Sequence, residues 1–251
     1  MISNDLQTKP KTRRPRHAAL LACLALFLIA GCGKRALYQA QKTSGKIVID
    51  GKLEPVWFRA SQTSQFVNMY DTGNMQNTRT RIMYDDRFIY IAFECDDNYI
   101  WSTKTERDDC IWEEEVVDVY IDATSNGKYY REYQTNALGA RTDLVIPRPG
   151  DERNWRKCAE WNSGFASAVG LLGPLNSTTE SPGKWVVEMA IPWSDFQGSG
   201  VDLPPKQGDK WRLQLFRIDR PRDEKLPVCS SWSPSRGEFH KPGNFGKIVW
   251  E

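Results

Sequence analysis

Histidine is nearly missing from this chain: 251 residues contain His17 and His240 and no other imidazole. That leaves little material for a His-rich metal centre or a Ser-His-Asp triad. None of the six cysteines stands in a CxxC spacing, which removes zinc ribbons, thioredoxin-like redox motifs and covalent heme attachment. Helical periodicity and internal repeats are also lacking. Beyond the first thirty residues no apolar run approaches the length needed to cross a bilayer. A strong charge of either sign is absent too. The formal charge is +2, and it becomes −2 without residues 1–31, which hold five basic side chains and one acidic one. Nucleic acid is therefore not expected as a partner.

The N-terminus carries a recognisable processing pattern. Lys9, Lys11, Arg13, Arg14 and Arg16 precede an apolar stretch from Ala18 to Ala30 that ends in "LIAGC". The stretch is short for a membrane span, and its small residues before Cys32 fit a bacterial lipobox. Residues 1–31 are expected to be a lipoprotein signal peptide, with Cys32 lipidated and residues 32–44 a polar tether. Pro15, Arg16 and His17 after the arginine pair argue against the twin-arginine route. Gly33 after the lipidated cysteine carries no acidic retention signal, so the expectation is an exported, membrane-anchored protein of the outer membrane.

From residue 45 onward the chain reads as strands. "KIVID" precedes "RTRIMYDDRFIYIAFEC", two β-rich runs about a "DDR" turn, and "VVDVYID", "KYYREYQTN" and "ARTDLVI" follow. "FASAVGLL" and "KWVVEMAIPW" flank a Gly-, Pro- and Ser-rich loop, and "KWRLQLFRID" and "NFGKIVW" close the chain. Trp185, Val187, Met189 and Ile191 share one face, which is assigned to the core. "PWSDF" reads as a helical turn opened by proline. About ten short strands predict an all-β fold, a single antiparallel β-sandwich of immunoglobulin-like or jelly-roll-like type over residues 45–251. The stretches at 147–160 and 198–209 are loops on it.

The segment "DDCIWEEEVVDVYID" at 108–122 sets a tryptophan and three glutamates before an alternating run. Alternation sends Val117, Val119 and Ile121 to one face and Val116, Asp118 and Tyr120 to the other. Glu132, Gln134 and Asn136 share a face of a second strand, and Gln214 lies opposite Trp211, Leu213 and Leu215 on a third. Carboxylates, amides and aromatics on one sheet surface suit a sugar, which needs paired donors and acceptors for its hydroxyls and a ring for its C–H face.

"IVIDGKLEPVWFRA", "DDRFIYIAFECDD", "WEEEVVDVYID", "WVVEMAIPW", "GDKWRLQLFRIDRP" and "SWSPSRGEFHKPGNFGKIVW" occur in the order and spacing of family 9 carbohydrate-binding modules, which residues 45–251 resemble. The resemblance implies a β-sandwich gripping a sugar, often a reducing end, between two aromatic rings. It also implies structural calcium in some members and attachment to xylanases or other glycan-active enzymes. On this resemblance Trp112 is the first stacking ring and Asp118 stands at a sugar-bonding glutamate position. Gln134 falls near an arginine position and Gln214 near a late-strand amide. Phe239 and His240 stand where a second tryptophan is found. Trp57, Trp185, Trp193 and Trp232 look structural, and the three glutamates form a rim beside Trp112.

The expected function is non-catalytic carbohydrate binding at the cell envelope in support of polysaccharide breakdown, with an oligo- or polysaccharide such as xylan or glucan as partner. No cofactor is required, and a structural calcium ion is allowed for without named ligands. The alternatives are a ligand-free structural lipoprotein, a glycan-active hydrolase subunit testing Glu188 against the Trp112 carboxylates, and a heme-binding sandwich using Met69, Met83, Met189 or His240. Four cysteines of an exported domain allow up to two disulfides, with Cys95–Cys110 the first pair to expect.

Overall fold

The computed structural model describes residues 34–222 and 225–251, and all that follows concerns these. The signal segment and the lipidation site Cys32 lie outside them.

Strand chemistry is realised where β-branched and aromatic residues alternate. Thr78–Tyr84 (β3) and Phe88–Asp97 (β4) form the expected hairpin, with the Asp85 carboxylate accepting the Arg87 and Phe88 amides at its turn. Val116–Asp122 (β5), Tyr130–Asn136 (β6) and Arg141–Ile146 (β7) follow as an antiparallel meander. Ala166–Leu171 (β8) pairs with Gly183–Pro192 (β9), and β9 pairs with β4 along its whole length. Lys210–Asp219 (β10) lies between β5 on one side and Gly246–Trp250 (β12) and Val228–Ser231 (β11) on the other. "PWSDF" is a 3-10 turn over Trp193–Phe196, with Pro192 one position earlier than expected, at its N-cap.

Three parts of the sequence reading are corrected. Leu37–Lys42, assigned to the tether, is a strand (β1) with Tyr38 and Ala40 buried. Its alternation is too short to stand out against polar neighbours. Conversely, "KIVID" is not a strand: Ile47 and Ile49 instead pack on the cluster around Trp57. Third, the expected sandwich is not wholly antiparallel, and its two halves are joined. β1 runs parallel to β12 through residues 37–40 and parallel to β3 through 41–42, stitching both halves into one continuous twelve-stranded surface, which includes the two-residue Val67–Asn68 (β2). The path runs β7-β6-β5-β10-β12-β1-β3-β4-β9-β8, so the sheet is folded over its own core and nearly closed.

The core is threefold. Val117, Val119 and Ile121 meet Trp185, Val187, Met189, Ile191, Trp211, Leu213 and Leu215 between the two halves, as their alternation requires. The opposite face of β5, expected to be open, is itself covered: Val116 and Tyr120 join Tyr130, Leu144, Phe216 and Phe245 in a second cluster. A third forms around Trp57 on the outer side of β3, β4 and β9. Trp57, Trp185, Trp193 and Trp232 are all buried. Met189, Met69 and Met83 are divided among the three clusters, so these methionines do not converge on one heme.

Cys95, Cys110, Cys158 and Cys229 are all free thiols, which overturns the Cys95–Cys110 pair. Cys95 points into the central core from β4, whereas Cys110 caps a surface turn, so nearness in sequence does not bring the sulfurs together.

The packing leaves little slack at Gly246, where an added Cβ would sit 2.4 Å from Cζ3 of Trp232. Gly246→Ala is expected to destabilise by about 1–3 kcal/mol through overpacking. A thermal melt reads this directly, and an unchanged midpoint would mean that the indole can repack.

Candidate functional site

The outer face of β5 and β6 floors a cleft of about 370 Å3. Cross-strand pairing sets its polar floor, since Asp118 lies opposite Gln134 and Tyr120 opposite Glu132. Leu144 of β7 and Ile218 of β10 extend the floor with apolar surface. Three loops raise the walls: Trp112 comes from a 3-10 turn over Ile111–Glu113, Phe239 and His240 precede the Pro242–Asn244 turn, and Glu152, Arg153 and Trp155 come from the 150s loop. In that loop a 3-10 turn, Asp151–Asn154, leads into the short helix Trp155–Cys158 (α1).

Trp112 is held from both sides. Ile111 is fully buried in the outer cluster. The Glu114 carboxylate accepts the Ser102 hydroxyl at 2.7 Å, the Thr103 amide at 2.9 Å and the Lys104 amide at 3.0 Å. Between these anchors the indole stays half-exposed and meets Trp155 edge to face, with centroids 5.1 Å apart and planes at 78°. Two rings in edge contact make a corner. They do not leave a slot between parallel planes.

The floor is short of hydrogen-bond donors. Gln134 Nε2 donates to Glu132 Oε1 at 2.7 Å, but Asp118 Oδ1, Glu132 Oε2 and Gln134 Oε1 are buried oxygens without a hydrogen bond, with His240 Nε2 standing 4.0 Å from Glu132 Oε2. Each orphaned acceptor costs on the order of 1–3 kcal/mol unless something bonds it. Burial drives the Asp118 carboxyl well above its ordinary range, with the neighbouring Glu132 adding to the shift. Burial likewise pushes Glu132 up to about 8, while His240 is pushed down to about 4 and is neutral at pH 7. His240 is fixed in the wall by the Tyr130 hydroxyl, 3.2 Å from Nδ1, and by an edge contact with Tyr120.

A carboxyl that holds its proton more tightly when folded stabilises the protein fully below its unfolded pKa of about 4.3. That stabilisation drains away as pH rises toward 8. Thermal midpoints should therefore fall between about pH 5 and 8, and Glu132→Gln, which cannot ionise, should flatten that slope. An identical slope in the variant would assign the proton to another group.

Five of the six residues singled out from sequence, Trp112, Asp118, Gln134, Phe239 and His240, meet in this cleft. Gln214 does not. It is fully buried, donating to the Ser233 carbonyl at 2.8 Å and accepting the Ser233 amide at 2.9 Å, so it fastens the 231–235 segment to β10. The glutamate rim is also corrected. Only Glu113 is exposed; Glu114 clamps the 102–104 loop and Glu115 is buried in an ionic cluster. Asn136 is spent on the tight turn to β7. Glu188 accepts the Trp57 indole N–H and the Gly51 amide, both at 2.8 Å, and pins the N-terminal segment outside the cleft. Trp155 escaped the sequence reading because it sits in a loop without periodicity; its one signal was an indole among Arg153, Arg156 and Lys157.

Asp97, Glu115 and Asp219 bring carboxylate oxygens within 4.8 Å of one another, a grouping that could in principle hold calcium. The Arg217 guanidinium already stands there, with Nη2 at 2.8 Å from Asp97, 3.5 Å from Asp219 and 3.9 Å from Glu115. A fixed cation inside the donor set does not fit a second, divalent one.

The chain is 23% identical over 208 residues to endo-1,4-beta-xylanase A of Thermoanaerobacterium saccharolyticum and 22% identical over 211 residues to the exoglucanase XynX of Acetivibrio thermocellus. Each match covers 82% of this chain but only 15% and 16% of those much longer proteins. Among solved structures, a family 9 carbohydrate-binding module of Caldicellulosiruptor kristjanssonii, in complex with cellotriose, superposes with a TM-score of 0.60 at 16% identity, covering 86% of this chain and 93% of that one. A protein of Bacteroides uniformis gives 0.65 at 18% identity, covering 86% and 100%. The profile described as "Carbohydrate family 9 binding domain-like" matches residues 49–251, which spans the cleft and nearly all of the sheet, and to that family this chain belongs.

Proposed function

We propose that the cleft binds a carbohydrate without cleaving it, and that the chain presents this binding at the cell envelope through a lipid on Cys32, facing from the outer membrane. The observation that carries the reading is the row of orphaned acceptors on Asp118, Glu132 and Gln134 beside two half-buried indoles. Sugar hydroxyls donate to the oxygens while a C–H face of the ring lies on the tryptophans. A protonated Asp118 or Glu132 would also donate, which suits hydroxyls that both give and accept. Phe239 and His240 close the rim. Trp155 takes the part of a second indole.

The substrates named for the related proteins support a β-linked glucan or xylan, for enzymes that degrade it. The test is calorimetric titration of the full-length protein in mild detergent with cellotriose and xylotriose, each beside its borohydride-reduced form. Binding lost on reduction supports capture of a reducing end, and binding indifferent to it supports recognition within the chain. No heat with any of the four overturns the reading and favours a ligand-free structural lipoprotein.

A further inference from the structure

Beside the cleft, and sharing Arg153 with it, lies a larger depression of about 850 Å3 between the edge strand β7 and the 147–161 segment. Three cations line it: Arg148, Arg153 and Lys157, all exposed, with no ion-pair, hydrogen-bond or ring partner for their side chains among the described residues. Their neighbours are engaged. Arg156 lies over Trp155 and Arg131 over Phe196, while Arg107 holds Asp143 and Arg141 donates to the Phe165 carbonyl. Asp151 and Glu160 share the lining, so three cations face two acids. Glu152, on the cleft side, has Oε2 committed to the Gly150 amide at 2.6 Å. Trp161 adds a half-exposed ring to the lining, with the Arg131 guanidinium 5.7 Å from its centroid.

We propose that this depression receives the sugar unit next to the one in the cleft, and that it selects a unit carrying a carboxylate, a uronic acid. The inference rests on the carbohydrate reading of the cleft. Neutral hydroxyls suffice for the carboxyl-rich floor around Asp118, whereas unengaged guanidinium groups are suited to a planar anion, which they can bond in bidentate fashion. Arg153 lies where the two depressions meet, within reach of a group on the unit beyond the glycosidic link.

A minimal pair of ligands tests this: cellobiose, and cellobiouronate, in which the second glucose carries a carboxylate at C6. Calorimetry on the full-length protein should give about fivefold tighter binding of the acid at low salt, as expected for one or two exposed charge pairs. The advantage should shrink as ionic strength rises from about 0.05 M to about 0.5 M, because the Debye length contracts. The double variant Arg148→Ala/Lys157→Ala, at two exposed positions outside the cleft, should lose most of the preference and keep the affinity for cellobiose. Free glucuronate binding as well as cellobiouronate would reduce the site to general anion binding and overturn the inference. Equal affinity for the two disaccharides, or a preference untouched in the double variant, overturns it while leaving the cleft reading in place. No heat with either disaccharide also overturns it, and the cellotriose and xylotriose titrations then tell whether the cleft reading falls with it.

Discussion

Trp112→Ala is expected to remove most of the proposed sugar affinity and to leave the fold intact. The indole is half-exposed and its ring contact is with Trp155, whereas the turn that carries it is anchored by buried Ile111 and by the Glu114 clamp. Truncation therefore deletes the stacking surface without opening the core. An indole in such a position is worth about 1.5–3 kcal/mol, which corresponds to roughly ten- to hundredfold in affinity. Trp112→Phe should keep part of it. Calorimetry beside a thermal melt separates the two readouts, and a Trp112→Ala protein that binds as tightly as the parent places the site elsewhere.

The largest effect on stability belongs to Arg217. Its side chain is 1% exposed, with Nη1 on the Asp96 carbonyl at 2.7 Å and Nη2 on Asp97 at 2.8 Å, and Asp219 and Glu115 stand close by. Burial pushes Glu115 and Asp219 toward their protonated forms, and Arg217 works against the shift in both. Arg217→Met keeps the volume and deletes the cation. Removing one partner of a buried charge network costs on the order of 3–5 kcal/mol, and for a chain of this size the melting midpoint should fall by about 10 °C. The sign of its pH dependence is fixed. Without the guanidinium Glu115 and Asp219 bind protons still more tightly in the folded state, so the deficit should be smaller at pH 5 than at pH 8. A uniform deficit across that range would mean that the loss is one of packing rather than charge.

The legible parts of this protein are those in which chemistry repeats with a local period. In β5 the alternation of Val117, Val119 and Ile121 with Val116, Asp118 and Tyr120 fixes which side chains enter the central core and which turn outward, where Asp118 and Tyr120 form the cleft floor. The same arithmetic places Gln134 beside Asp118, because neighbouring strands in register expose the same face. It fails for Gln214, whose face was read correctly but is closed by the Ser233 segment arriving from elsewhere in the chain. Cys95 and Cys110 fail likewise, being close in sequence but directed to different environments.

The sequence by itself determined that the chain is all-β, which strand faces are apolar, and that Asp118, Glu132 and Gln134 belong to one polar surface, because side-chain direction along a strand depends only on position. Tertiary structure alone decided that β1 closes the sheet between β12 and β3, that Glu114 and Glu115 turn inward, and that Trp155 and Arg153 reach the cleft. Those outcomes depend on which loop folds over which face, and that is settled by contacts between residues far apart in the chain, where no local period exists to be read.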